Sequence, residues 1–315
     1  MTIFPTQLLY FACIFAIIVA EPAFSAESFP SDALPGVSVG GNLPSGYEPS
    51  GIVWHTRLKK LFVVGDDGDV SSMNADGTGV VSWFPGGDLE GITIASHQNN
   101  FVYLGIENPD SIREFNITTG QVTRTFNLTT WMTGDGNAGL EALTFVPDVC
   151  DPEGGLFYAG LQATGQIFVF RLPIRSSSTA TTVTPIRTIP ALNGVSDISG
   201  MHYEVSQQVL YAIYDSTDLL RAMDADGTLI REWNLPGINQ EGVTLKGLDF
   251  YIAQDSGGVL MFSPFAVFCQ PDLNADGKTN LLDLTSLATY WQNDYLLDIF
   301  DLAAIADNWL ENYHQ

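Results

Sequence analysis

The chain has 315 residues, 45% hydrophobic and 15% charged, with 12 Lys+Arg against 36 Asp+Glu. A formal net charge of -24 at pH 7 excludes binding to nucleic acid or to an anionic membrane surface, both of which would repel it. What remains is affinity for cations, or simply the solubility of an acidic exported protein.

Leu8 to Ala20, "LLYFACIFAIIVA", is an apolar run of 13 residues, too short to span a bilayer comfortably. It precedes Pro22 and the small-residue stretch Ala23 to Ala26, so residues 1–25 are predicted to be a Sec-type signal peptide cleaved after Ser25. The leading "MTIFPTQ" has no Lys or Arg, which leaves an uncleaved anchor as the alternative. No later stretch is long and apolar enough to span. The mature protein is therefore expected to be secreted, periplasmic or at a bacterial cell surface, with no membrane span.

Residues 31–268 read as strands. "SSMNADGTGVVSWF" from Ser71 and "RAMDADGTLIREWN" from Arg221 nearly copy each other, each placing an Asp-Gly hairpin turn between two strands. A second element recurs five times: "EPSGIVW" from Glu48, "LEGITIA" from Leu89, "LEALTFV" from Leu140, "ISGMHYE" from Ile198 and "QEGVTLK" from Gln240. Its small residues, Gly51, Gly91, Ala142, Gly200 and Gly242, are 40, 51, 58 and 42 residues apart. Five units of about four strands predict an all-β, five-bladed β-propeller; a sandwich is the alternative, which regular repeats disfavour. The fifth unit has three strands, and "GVSVGG" from Gly36 is expected to supply its fourth and close the ring.

In a propeller the loop entering the first strand and the loop after the second open on one face. The first set holds Glu48, Glu90, Glu141, Asp197 and Glu241. The second holds Asp66 beside Asp67, Glu107, Gln162, Asp215 and Asp255. Nine of these ten positions are acidic. Converging carboxylates repel one another and need relief from a cation, solvent or backbone N–H groups. A metal or ligand site at this mouth and a purely structural role are both open. Asp66, Glu107, Asp215 and Asp255 are the candidate ligand-binding residues. His55, His97 and His202 follow first strands and are expected on turns at the opposite end, without a catalytic or ligand role. No G-x-S-x-G or H-E-x-x-H sequence is present.

The motifs "EPSG", "GDDGD", "LEGI", "GLEAL", "DISGM" and "QEGV", in that order over about residues 45 to 265, resemble the SdiA-regulated family of bacterial β-propellers. The resemblance implies a five-bladed propeller with a calcium site, distantly related to NHL-repeat propellers, and carries over no catalytic residues. The acids of the matched motifs, Glu48, Glu90, Glu141 and Glu241, are the expected metal ligands. Phytase-like and lactonase-like propellers also place acids and calcium at a channel mouth. That similarity implies the alternative function, a calcium-dependent hydrolase of a phosphoester, lactone or glycoside.

Cys13 lies in the signal, leaving Cys150 and Cys269, whose pairing the sequence leaves open. The tail then offers "DLNADGKTNLLDL". A twelve-position calcium loop starting at Asp272 has Asp272, Asn274 and Asp276 at positions one, three and five, and Gly277 at six. The Lys278 carbonyl falls at seven, Asn280 at nine and Asp283 at twelve. Two amphipathic helical patterns follow, "DLTSLATYWQ" and "DLAAIADNWL". The duplicated loop and helix resemble a type I dockerin over about residues 271–315. This implies calcium in each half and a cohesin-like partner, usually in carbohydrate-degrading assemblies. The second loop, from Tyr290 to Asp301, has Tyr290 and Gln292 at its first and third positions and is expected to bind weakly or not at all. Leu281 and Leu282 occupy positions that in many dockerins carry small polar recognition residues, and are the candidate partner-binding residues. The sequence thus predicts an exported calcium-binding propeller (31–268) with a small helical attachment module. A binding or scaffold-attached role linked to polysaccharide degradation is the expected function.

Overall fold

Runs rich in Val, Ile, Phe and Tyr, broken by Gly and Asp turns, form five antiparallel sheets in a computed structural model that describes residues 26–31, 33–134, 136–256 and 258–265. Blade 1 comprises Pro49–His55, Lys60–Gly65, Asp69–Met73 and Val81–Trp83. Blade 2 comprises Leu89–Thr93, Phe101–Ile106, Ser111–Asn116 and Gln121–Asn127. Leu140–Pro147, Gly155–Leu161, Gln166–Arg171 and Thr184–Ile189 form blade 3. Ile198–Glu204, Val209–Tyr214, Leu219–Met223 and Leu229–Asn234 form blade 4. Blade 5 has Gln240–Lys246, Asp249–Gln254 and Gly258–Phe262. The first strand of each blade packs against that of the next, and blade 5 returns to blade 1, so the described residues form an all-β, five-bladed propeller.

The ring closes where the sequence predicts. Val37–Ser38 pairs antiparallel with the third strand of blade 5, Val37 opposite Met261 and Ser38 opposite Leu260. A second strap was not anticipated. Glu27–Ser28 runs parallel to the outer strand of blade 4, and Phe29 inserts against Phe250, Phe262 and Phe265 with ring centroids 5.4, 5.1 and 5.4 Å away. The N-terminal segment therefore ties blade 4 to blade 5 through backbone pairing and an aromatic cluster.

Contacts between blades explain the near-identical turns. Gly77 and Gly227 take the positive φ that each Asp-Gly turn requires, 80° and 89°. The carbonyl two residues earlier then faces the preceding blade: Ala75 O accepts the Tyr251 hydroxyl at 3.4 Å, and Ala225 O accepts that of Tyr158 at 3.1 Å. Close approach likewise explains the glycines heading the first strands. A Cβ on Gly51 would lie 2.6 Å from Glu90 O, and one on Gly91 would lie 2.6 Å from Leu143 Cβ.

Residues 1–25, expected to be a signal peptide, and the whole expected dockerin-like tail lie outside the described residues. So do the 272–283 loop, Leu281, Leu282 and Cys269. Cys150 is exposed on the turn after the first strand of blade 3. No helix among the described residues is long and apolar enough to cross a membrane.

Candidate metal centre at the channel mouth

Each first strand carries the same irregularity at its start. The register with the second strand shifts between Pro49 and Gly51, Leu89 and Gly91, Leu140 and Ala142, Ile198 and Gly200, and Gln240 and Gly242. The skipped residues are Ser50, Glu90, Glu141, Ser199 and Glu241. A bulge re-aims its unpaired residue, and Glu90, Glu141, Ser199 and Glu241 line the central channel at this level. Just below them Ile52, Ile92, Leu143, Met201 and Val243 form a buried apolar collar. The cavity they bound is about 10 Å³, the space of roughly one water.

The second tier of the mouth is fixed by a five-fold hydrogen-bond pattern. The residue after each second strand donates its N–H to the carbonyl three positions before the small residue. The pairs are Asp66 to Glu48 (3.3 Å), Glu107 to Asp88 (3.0 Å), Gln162 to Gly139 (2.9 Å), Asp215 to Asp197 (3.2 Å) and Asp255 to Asn239 (3.1 Å). Both loop sets therefore do share one face.

This pattern corrects the sequence reading in one respect. Glu48 and Asp197 sit two residues before the bulge, so they are not equivalents of Glu90, Glu141 and Glu241. Serines hold that place in blades 1 and 4. Glu48 is exposed, and Asp197 is half-buried with Oδ2 accepting the Ser216 N–H at 3.0 Å. The blade 2 counterpart of Glu48 is Asp88, which the sequence reading passed over.

Asp88 completes the tightest acidic group among the described residues. Asp66 of blade 1 with Asp88 and Glu90 of blade 2 bring carboxylate oxygens within 4.8 Å of one another. Calcium–oxygen distances are about 2.4 Å, so oxygens at this spacing fit around one ion, and an oxygen-only set suits a hard divalent cation. The electrostatics point the same way. Asp66 is pushed up to about 6 by its hydrogen bond with Asp88, by burial, and by the charges of Asp88 and Asp67. Burial pushes Glu90 up to about 9, helped by Asp66, Asp88, Glu107 and Glu241. Glu141 rises to about 11 through burial, then Glu90, Glu107 and Glu241. Every charge that shifts these three groups upward is another carboxylate. Such a cluster holds protons at neutral pH or exchanges them for a cation.

The other named residues divide into two groups. Glu107 is buried beside Glu141, its Oε1 accepting the Gly139 N–H at 3.0 Å. Across the mouth, burial pushes Glu241 up to about 8, followed by Asp215, Asp255 and Asp197. Asp215 is raised by burial while its Oδ1 accepts the Gln240 N–H at 2.8 Å. Some mouth acids thus do bind backbone N–H groups. His55, His97 and His202 lie towards the opposite face, but His55 and His202 sit within first strands rather than on turns.

No family model and no curated protein matches the chain. Among solved structures, a crystal structure of Myxococcus xanthus glutaminyl cyclase aligns with a TM-score of 0.49 at 12% sequence identity, covering 69% of this chain and 90% of that one. A likeness at that distance carries no site chemistry across.

Proposed function

We propose that this protein is an exported calcium-binding propeller that holds a divalent cation at the channel mouth and presents it to an oxygen-rich ligand. The observation carrying this reading is the Asp66, Asp88 and Glu90 group. The charges of Asp67, Glu107 and Glu241 also act on this group, and Glu90 in turn acts on Glu141. Calcium is the cation favoured by the all-oxygen donor set. Once bound, the ion would supply positive charge to a phosphate, carboxylate or hydroxyl ligand.

In this reading residues 271–315 are the attachment device. Asp272, Asn274, Asp276, Lys278, Asn280 and Asp283 hold a calcium ion, and Leu281 and Leu282 face a cohesin-like partner. That assignment, the link to polysaccharide degradation and the likeness to SdiA-regulated propellers rest on sequence motifs.

A second reading, a calcium-dependent hydrolase, is favoured by one observation. Burial, and then the charges of Glu90, Glu107 and Glu241, push Glu141 up to about 11, which would favour its protonated form at neutral pH as a proton donor near the candidate cation site. Calorimetric titration of calcium into the full chain separates the parts. Asp88→Asn is expected to abolish one binding event and Asp276→Asn another. An unchanged isotherm for Asp88→Asn would overturn the mouth site. Calcium-dependent turnover of model phosphoesters, lactones or glycosides, lost in Glu141→Gln, would replace the binding reading with the hydrolase.

A further inference from the structure

The few cations of this acidic chain are not spread evenly. Of its 12 Lys+Arg, Arg57, Lys59 and Lys60 share one turn, between the first two strands of blade 1. That turn lies at the end of the strands away from the mouth. Arg57 and Lys59 are exposed, and Lys60 is half-buried. Among the described residues none of the three forms an ion pair, whereas Arg124, Arg171, Arg187, Arg221 and Arg231 each meet a carboxylate. Their hydrogen bonds go to neutral groups. Arg57 donates to His97 O at 2.6 Å, Asn99 O at 2.8 Å and Asn100 Oδ1 at 2.8 Å, and Lys60 Nζ donates to Asn74 Oδ1 at 2.7 Å. Asp76 feels Lys60, but its carboxyl is lowered first by its bonds to Thr78.

Beneath the turn the His55 and His97 rings meet edge-on, with centroids 4.8 Å apart. Each Nδ1 accepts a backbone N–H, from Leu58 at 3.4 Å and from Thr56 at 3.2 Å. Burial keeps both rings uncharged at neutral pH, so they neither add to the patch nor neutralise it. Lys246 of blade 5 extends it. Its Nζ is 5.7 Å from the centroid of the Trp54 ring and 2.7 Å from Asp249 Oδ2.

The described chain ends on the same blade 5 turn. Phe265 donates its N–H to Leu248 O at 2.8 Å, between Lys246 and Asp249. Residues 266–270 carry no charge, and fully extended they reach about 17 Å. Residues 271–315 hold eight Asp+Glu against Lys278 alone.

We propose that the acidic segment 271–315 docks on the Arg57, Lys59, Lys60 and Lys246 patch of its own propeller. Tethering favours this occupant. A short link holds the segment at an effective concentration on the order of mM, whereas a free polyanion or a second copy must approach a molecule of net charge -24. The proposal rests on the charge of the tail, and not on cation binding at the mouth or on the likeness of the tail to a dockerin.

Zero-length cross-linking of the full chain tests it, with a chelator present so that no cation masks the tail carboxylates. A carbodiimide joins a lysine amine to a carboxylate in contact with it, and the Lys246 to Asp249 pair is the internal control. Links from Lys59, Lys60 or Lys246 to carboxylates between Asp272 and Glu311 are expected at low salt. They should fall roughly tenfold at about 0.5 M NaCl, where the screening length is about 4 Å, while the control persists. In the double variant Lys59→Glu, Lys60→Glu, links from Lys246 to the tail should fall by a similar factor. Tail carboxylates that stay unlinked while the control forms overturn the proposal, as do tail links unmoved by salt and by the double variant. Links joining isotopically heavy to light chains in a mixture overturn it in favour of a second copy. An unlinked tail on a patch that binds dextran sulfate overturns it in favour of an external polyanion.

Discussion

Replacing Glu90 by Gln should make the cation-free protein more stable at neutral pH. Glu90 has a folded-state pKa of about 9 against an ordinary 4.5. Between those values the folded chain keeps a proton that the unfolded chain has released. The stabilisation is full below about 4.5 and is lost as pH rises towards 9. One such proton gives stability a slope of about -1.4 kcal/mol per pH unit, or roughly 3 kcal/mol lost between pH 4.5 and pH 7. Gln has the same shape and no proton to lose, so this slope disappears in the variant. Other titrations cancel in the comparison, because His55, His97 and the lowered carboxyls of Glu114 and Glu204 are the same in both chains. Urea unfolding with a chelator between about pH 6.5 and about pH 8.5 therefore reads the mouth carboxylates. The natural chain should weaken with pH more steeply than Glu90→Gln. Added calcium should stabilise the natural chain and leave the variant nearly unmoved. Parallel pH curves for the two chains, or equal gains from calcium, would refute the argument.

Two further substitutions test how the ring is held. Arg124 is buried against Glu114 and also donates to the carbonyls of Pro173, Ser177 and Ala180 at 2.9, 2.8 and 3.2 Å, so it pins a blade 3 loop to blade 2. Arg124→Ala should cost about 3–5 kcal/mol, because it strands the Glu114 charge; a loss under about 1 kcal/mol in urea unfolding would mean that the network is dispensable. Phe29→Ala empties an aromatic site between blades 4 and 5 and should cost about 3–5 kcal/mol. Unchanged unfolding in that variant would show that the strap adds nothing to ring closure.

The blades were legible because their cause is local. A small residue heads each first strand since the neighbouring strand leaves no room for a side chain, and that requirement repeats with the blades. The closing strand at Val37 was legible by subtraction, from a unit one strand short. The strap at Glu27 was not, because a two-residue parallel pairing has no pattern of its own and rests on Phe29 finding a distant pocket. The His55–His97 contact escaped for a related reason: it depends on where the chain returns 42 positions later.

The misreading of the acids is more instructive. Glu48 and Asp197 differ from Glu90, Glu141 and Glu241 by two positions in the repeat. In a regular strand an offset of two keeps a residue on the same face, so grouping them was natural. The bulge breaks that rule, since the residue just before the small one is turned into the channel without a cross-strand partner. Charge then limits what can stand there. Five glutamates in a cavity of about 10 Å³ would repel without relief, and two of the five places are serines. Ser199 satisfies itself by donating to Gln240 O at 2.6 Å. Blade 1 has Ser50 at this place, and its carboxylate near Glu90 comes instead from Asp66, one tier higher. The offset acid Asp88 completes the group. The candidate centre is therefore assembled from two tiers that the bulge brings together, and a search for one repeated acid per blade passes over it.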